Sequence, residues 1–303
     1  MRFFADQLTL GLTLGAIYAL IALGYTLVYG IIELINFAHG DIFTVGGLIG
    51  LTLIGVLGLQ HASPAVLFVG VLFVFLAAMG INGLLGVAIE RVAYRPLRNA
   101  PRLAPLITAV GVSFILEGVL FLIKGPNNIS FPNLLPSGSL NLGVISLGVG
   151  NLIIIGIALL LMISLQQFIQ RTRIGRAMRA TAQDRDAARL MGININRTIA
   201  ITFFIGSALA AAGGIIYGFY FQTLQFDQGF RAGLIAFTAA VFGGIGNVVG
   251  ASVGGFLIGI ILAFVGGYIT GGGQWADVVV FSILIFVLVF RPTGLLGMRV
   301  PEK

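Results

Sequence analysis

The sequence predicts an all-α, polytopic integral membrane protein with about eight to nine transmembrane helices. Three observations lead there. Charged residues make up 9% of the chain and hydrophobic ones 58%, where soluble domains carry about a quarter charged. Mean hydropathy is +1.07, and the apolar runs stay unbroken over span length instead of alternating in short segments like those of an outer-membrane barrel. All Lys and Arg except Arg2, Lys124 and Arg231 fall in three segments, 91–102, 171–197 and 291–303. The bias of basic residues toward the cytoplasmic side assigns all three to that side. The net charge of +7 then reports orientation and contact with anionic lipid more simply than nucleic acid. The chain has no cysteine, which excludes disulfides, thiol catalysis and cysteine metal sites.

The first apolar run, 8–29, is long enough to span and lacks a strongly basic leader, so it is expected to stay in the membrane rather than be cleaved. It leads into IIELINFAHGD (31–41), which sets Glu33, Asn36, His39 and Asp41 between apolar stretches. Runs over 42–59 and 64–89 follow. ERVAYRPLRNAPR (90–102), with Arg91, Arg95, Arg98, Arg102 and two prolines, reads as a cytoplasmic loop. A fourth run covers 103–123. Residues 124–150 are rich in Pro, Gly, Asn and Ser with Lys124 as their one charge, an outside loop. A fifth run covers 151–168 and a sixth 199–221. QTLQFDQGFR (222–231), with Asp227 and Arg231, falls outside. The glycine-rich region 232–270 and a last run over 276–290 complete the chain. Parity requires an even number of spans within 199–290, either four or two plus a re-entrant hairpin, and puts the short N-terminus outside.

Residues 171–199, RTRIGRAMRATAQDRDAARLMGININRTI, stand apart from this apolar background. Seven arginines (171, 173, 176, 179, 185, 189 and 197) face two acids, Asp184 and Asp186. Such a segment cannot lie in hydrocarbon. Asp184 or Asp186 can cap a short helix through Ala187, Ala188, Arg189, Leu190 and Met191. Gly192 stands where a left-handed stop is needed, with Ile193 as the hydrophobic contact that follows. A capped helix projecting into cytosol is a handle for a partner; the plainer reading is a charged connecting loop.

Three further features carry polar or conformational chemistry. GGIGNVVGASVGG (243–255) holds Gly243, Gly244, Gly246, Gly250 and Gly254, with Gly246/Gly250 and Gly250/Gly254 as GxxxG pairs. Small residues at that spacing allow close helix packing; the second reading is a broken helix lining a pathway. In the INFAHGD turn, Asn36, His39 and Asp41 must face water or protein partners, as part of a substrate route or as a satisfied polar turn. Glu117, inside the fourth run, reads as a helix–helix polar contact before a proton-coupling acid. No metal site is expected, because His39 and Asp41 lack further ligands and His61 sits alone. No hydrolase signature and no G-x-x-x-x-G-K-[ST] occurs, so no catalytic residue is assigned. If ATP drives transport, another polypeptide supplies the ATPase.

GYTLVYGIIELINFAHGDIFTVGG (24–47), RIGRAMRATAQDRDAARLMGIN (173–194), FTAAVFGGIGNVVGASVGGFLIG (237–259) and FRPTGLLG (290–297) together resemble LivH-type permeases of bacterial branched-chain amino acid ABC importers, over nearly the whole chain. The resemblance implies one transmembrane permease domain over 1–303 in the bacterial cytoplasmic (inner) membrane, with the ABC importer permease fold. Its cytoplasmic coupling loop would run over about 171–198 and its outside loop over about 124–150. It implies a second homologous permease subunit, two cytoplasmic ATPase subunits and a periplasmic binding protein, with ATP and Mg bound on the ATPases and no cofactor in this chain. The family's coupling helix carries over onto Asp186, Ala187, Ala188, Met191 and Gly192, with Asp where Glu is commoner. Urea and short-amide permeases are close relatives, and nothing in the sequence separates the ligands. A stand-alone carrier using Glu117 or the 36–41 turn, and a passive channel for a small neutral solute, are the readings from other classes; both leave the capped helix unexplained.

Overall fold

The computed structural model describes residues 2–98, 100–101, 103–142 and 145–297. Arg102, Arg299 and Lys303, counted above among the cytoplasmic cations, lie outside them. Among the described residues the helices are α1 (Arg2–Ile32), α2 (His39–Val56), α3 (Pro64–Ile89), α4 (Leu103–Lys124), α5 (Val149–Arg171), α6 (Arg173–Gln183), α7 (Arg185–Leu190), α8 (Ile195–Phe221), α9 (Gln228–Gly243), α10 (Val248–Tyr268) and α11 (Gly272–Phe290). Strands among the described residues are confined to β1 (Ile129–Ser130), β2 (Ser139–Leu142), β3 (Ile145–Gly148) and β4 (Thr223–Leu224). This is an all-α polytopic membrane protein. Eight helices are long and apolar enough to cross a bilayer, all but α6, α7 and α9. With 16 residues, α9 falls short of the roughly 20 a full crossing takes. The glycine-rich region is thus two helices around a break at 244–247, and 199–290 holds three helices of span length, α8, α10 and α11, with the shorter α9 between them, rather than the even number of spans expected.

The helices end where the sequence supplies a reason. Pro64 opens α3 behind an extended Ser63, a position where its missing N–H costs nothing. Asn194 and Asn247 cap α8 and α10 through their side-chain oxygens. Beyond Ile89 the backbone widens into a π turn over Glu90–Tyr94 and then a 3-10 turn over Arg95–Leu97.

The chain divides into two compact units whose boundary falls inside α1, α5 and α9. One comprises Leu27–Leu134 and Gln167–Gly233. Its centre is α8, largely buried from Ser207 through Ile216, with α2 and α3 packed against it. Glycines set that spacing. A Cβ on Gly46 would stand 2.6 Å from Ala211 Cβ, and one on Gly86 would stand 2.6 Å from Ser207 Cβ. Asn82 on α3 is fully buried and its Nδ2 donates to Ile42 O (3.0 Å) and Ser207 O (2.8 Å), so one amide fastens α2, α3 and α8. At one end of this unit β1 pairs antiparallel with β4, Ile129 opposite Leu224. At the other end the segment 33–38, Tyr94, Arg98, Arg185 and Asn196 come together.

The second unit comprises Met1–Thr26, Leu135–Gln166 and Leu234–Lys303. Here α1 crosses α10 glycine on glycine. A Cβ on Gly15 would stand 2.7 Å from Phe256 Cα, and one on Gly259 would stand 2.6 Å from Gly11 O. A final turn closes under the α9–α10 break: Leu295 N donates to Phe242 O and Leu296 N to Gly243 O, each at 2.9 Å. Within 124–150, read above as a plain loop, β2 and β3 form a hairpin with Ser139 opposite Gly148.

Gly15→Val is expected to lower the thermal midpoint in detergent, overpacking of this kind costing about 1–3 kcal/mol. Gly111→Ala on α4, where a Cβ would meet nothing within 4 Å, should leave the midpoint level or raise it. Equal midpoints for Gly15→Val and the unsubstituted protein would show that the crossing is not tight.

Candidate coupling and pathway site

The basic segment is built as helices separated by caps. Thr172 Oγ1 accepts from Gly175 N (2.9 Å) and opens α6, which buries Met178 and Thr181 and turns Arg173, Arg176 and Arg179 outward. Asp184 then takes an extended backbone, φ −156° and ψ 115°, and its Oδ1 accepts from Asp186 N (2.9 Å) and Ala187 N (3.0 Å). Of the two acids that could cap α7, Asp184 does so. Asp186 lies exposed in the first turn, 3.8 Å from Arg189, a surface pair of little energetic consequence. The helix ends in a Schellman turn: Gly192 N donates to Arg189 O and Ile193 N to Ala188 O, each at 3.0 Å, with Gly192 at φ 82°. Ala188 faces inward, whereas Leu190 and Met191 are 89% and 83% exposed. A short helix fixed at both ends thus shows two large apolar side chains to solvent.

The second cluster surrounds the break between α1 and α2. Beyond Ile32 the chain leaves through Glu33, which adopts φ 55°, a left-handed conformation rare outside glycine. Asn36 is buried, and its Oδ1 accepts from Tyr94 Oη at 2.6 Å. His39 is buried in the first turn of α2. Asp41 is fully buried, and Ser113 Oγ on α4 donates to its Oδ2. Asp41 Oδ1 and Thr44 Oγ1 have no hydrogen-bond partner among the described residues. Both face the first turn of α9, where a Cβ on Gly229 would stand 2.8 Å from Asp41 Oδ1 and 2.5 Å from Thr44 Oγ1. A Cβ on Gly40 would stand 3.0 Å from Gly233 Cα. The starts of α2 and α9 thus close on one another backbone to backbone, with a carboxylate and a hydroxyl held unsatisfied beside the contact. In an apolar setting such groups are costly unless they meet a partner in some state.

Glu117 sits one helical turn beyond Ser113, half-buried. It is not in the Asp41 hydrogen-bond set. The structure therefore brings Asp41 to Ser113 on α4, the helix that also carries Glu117, while Asn36 turns to Tyr94. The glycines of 243–255 do something else. Gly243 lies against Gly250 and Gly254 against Ala239 and Gly243, so α9 and α10 meet at backbone distance. Gly244 and Gly246 have φ 113° and 92°, and Asn247 Nδ2 reaches Leu296 O at 2.7 Å. Their geometry is packing and turning. Among the described residues no three His, Cys, Asp or Glu side chains are grouped as a metal would need.

A model of the family described as branched-chain amino acid transport system / permease component matches residues 7–288. The chain belongs to this family. The permease protein BraD of the high-affinity branched-chain amino acid transport system of Pseudomonas aeruginosa is 44% identical over 99% of this chain and 98% of that protein. The corresponding permease protein LivH of Escherichia coli K12 is 42% identical over the same shares of the two chains. The fructose import permease protein FruG of Bifidobacterium longum is 28% identical over 84% of this chain and 75% of that one.

In this permease several side chains that hold the clusters together escaped the sequence reading. Arg98 pairs with Glu90 and its Nη1 donates to Asn196 Oδ1 at 2.6 Å. Burial pulls the Arg98 guanidinium below its ordinary value, and Glu90 acts against that shift. Arg185 donates from Nη2 to Ile31 O at 3.0 Å. Asn82 and Ser113 were signalled by being polar in the middle of apolar runs, whereas Arg98 and Arg185 were hidden among other arginines.

Asp184→Ala is expected to cost α7 about 1 kcal/mol of local stability. Gly192→Ala should cost a comparable amount through its positive φ, although the space around it is open. Amide hydrogen exchange over 186–191 should quicken several-fold in both, and unchanged exchange would show that the caps do not hold this helix.

Proposed function

We propose that this protein is the membrane-spanning permease subunit of an ATP-driven importer of branched-chain amino acids in the bacterial cytoplasmic membrane. The observation that carries the reading is the near full-length identity to BraD and LivH. The capped α7, with its exposed Leu190 and Met191, accounts for what drives it. Two cytoplasmic ATPase subunits grip Asp186, Ala187, Ala188, Met191 and Gly192, a second permease completes the membrane part, and a periplasmic binding protein delivers the substrate. ATP and Mg belong to the ATPases. Transport then requires that each nucleotide state hold α7 differently, since only a difference in binding free energy between states moves the equilibrium. The pathway runs past the break at 33–38, where Asn36, His39 and Asp41 lie, with Glu117 beside it and the Gly40–Gly229 contact as its closure. The glycines 243, 244, 246, 250 and 254 set the spacing and the turn between α9 and α10. In this reading one transmembrane domain carries 171–198 in the cytoplasm and 124–150 outside.

The complete complex, reconstituted in proteoliposomes with its binding protein, is expected to take up leucine, isoleucine and valine when ATP is supplied on the ATPase side, and to be indifferent to a protonophore. Uptake of urea or a short amide in place of these would reassign the ligand; uptake without ATP would return the chain to the carriers. Met191→Asp, at a position too exposed for the change to cost much stability, is expected to cut uptake at least tenfold with the permease level unchanged. Asp41→Asn keeps the Ser113 bond and removes the charge, and it too should cut uptake at least tenfold. Full uptake in either variant would remove that residue from its role.

A further inference from the structure

The C-terminus of α1 lacks the means to finish itself. Its last turn contains no basic residue, so no cation of its own meets the carbonyls that the helix leaves unpaired. The exit residue is Glu33 rather than glycine, at φ 55°. The missing donor comes from far along the chain: Arg185 Nη2 bonds to Ile31 O at 3.0 Å. Arg185 is the first residue of α7, adjoining the Asp184 cap. It makes no ion pair among the described residues, and its charge is felt by Arg98, which is itself fixed to Glu90 and Asn196. Two guanidinium groups thus lie near one another, one held by a carboxylate and the other by a helix end.

We infer that Arg185 is the positioning residue that carries movement of α7 to α1 and the 33–38 break. A guanidinium bonded to a helix-terminal carbonyl is directional and charge-assisted, so displacing α7 displaces the end of α1 with it. From Ile31 the route is short. The break follows, with Asn36 steadied by Tyr94, and then the first turn of α2, where Gly40 and Asp41 close on α9. The strained Glu33 is the joint at which α1 and the break change angle. This inference rests on the reading of α7 as the part the ATPases hold.

The test uses the complete reconstituted importer. Arg185→Gln is expected to leave ATP hydrolysis stimulated by the leucine-loaded binding protein near its normal rate, while leucine carried per ATP falls at least tenfold. Arg185→Lys, which still offers a cation to one carbonyl, should retain more than half. A second readout is distance. Because the chain has no cysteine, spin labels at Tyr29→Cys, half-exposed in the last turns of α1, and Gln183→Cys report directly on the two ends. Their separation should be the same in the nucleotide-free and vanadate-trapped states, and should differ between those states once Arg185→Gln is added. Normal leucine per ATP in Arg185→Gln, or a labelled pair whose separation changes between states with Arg185 intact, would overturn the inference. Should Arg185→Gln fail to assemble, the labelled pair in the otherwise unaltered complex decides. Failure of the underlying reading looks different: the unsubstituted complex then moves no branched-chain amino acid, whatever stands at position 185.

Discussion

Helices in a bilayer gain no hydrophobic advantage from touching one another, because lipid tails are as apolar as leucine. That constraint governs this protein. Its helices meet through absent side chains: Gly46 and Gly86 around α8, Gly11 and Gly15 against Gly255 and Gly259 on α10, Gly243 against Gly250. Backbone then approaches backbone, and dispersion between close-packed main chains stands in for water-driven burial. Where a polar side chain enters, it serves several helices at once, as Asn82 does. Many other large apolar residues face outward on α3, α4, α5 and α11, which expose most of their surface.

The polar end of the unit around α8 follows a different rule. There the backbone is interrupted repeatedly, after α1, at the π turn behind α3 and on both sides of α7, and several of these interruptions are closed by a side chain. Thr172, Asp184 and Asn194 cap helix starts, Gly192 ends α7, and Arg185 ends α1. Apolar packing gives little directional control over such short pieces. Hydrogen bonds with fixed donors and acceptors give much more, which is why the segment expected to meet a moving partner is polar.

Much of this was legible in the residues. Charge asymmetry and run length located the spans, with the run at 64–89 coinciding with α3 and that at 103–123 ending one residue short of α4. The short helix and its left-handed glycine could be read from Asp184, Asp186 and Gly192 because caps are local chemistry. The break within 232–270 could not be placed, since glycine serves both a helix interface and a turn; only the contacts of Gly244 with the final turn distinguish them. The hairpin within 124–150 was missed for a related reason, a two-stranded pair of four-residue strands having no pattern strong enough to separate from loop. Pairings across long sequence separations, Asp41 with Ser113 or Arg185 with Ile31, lie beyond periodicity altogether. A polar residue in an apolar run announces that it has a partner without saying which.

The glycine-on-glycine crossing of α1 with α10, together with the final turn beneath α9, bears on how the chain is made. Helix α1 finds its close neighbour only once residues 248–268 have been synthesised, and the carbonyls of Phe242 and Gly243 wait for residues 295 and 296. Until then α1 stands in lipid with its glycine face uncovered. Contacts so distant in sequence close slowly, so this unit is completed late, when α10 reaches α1 and the final turn reaches α9.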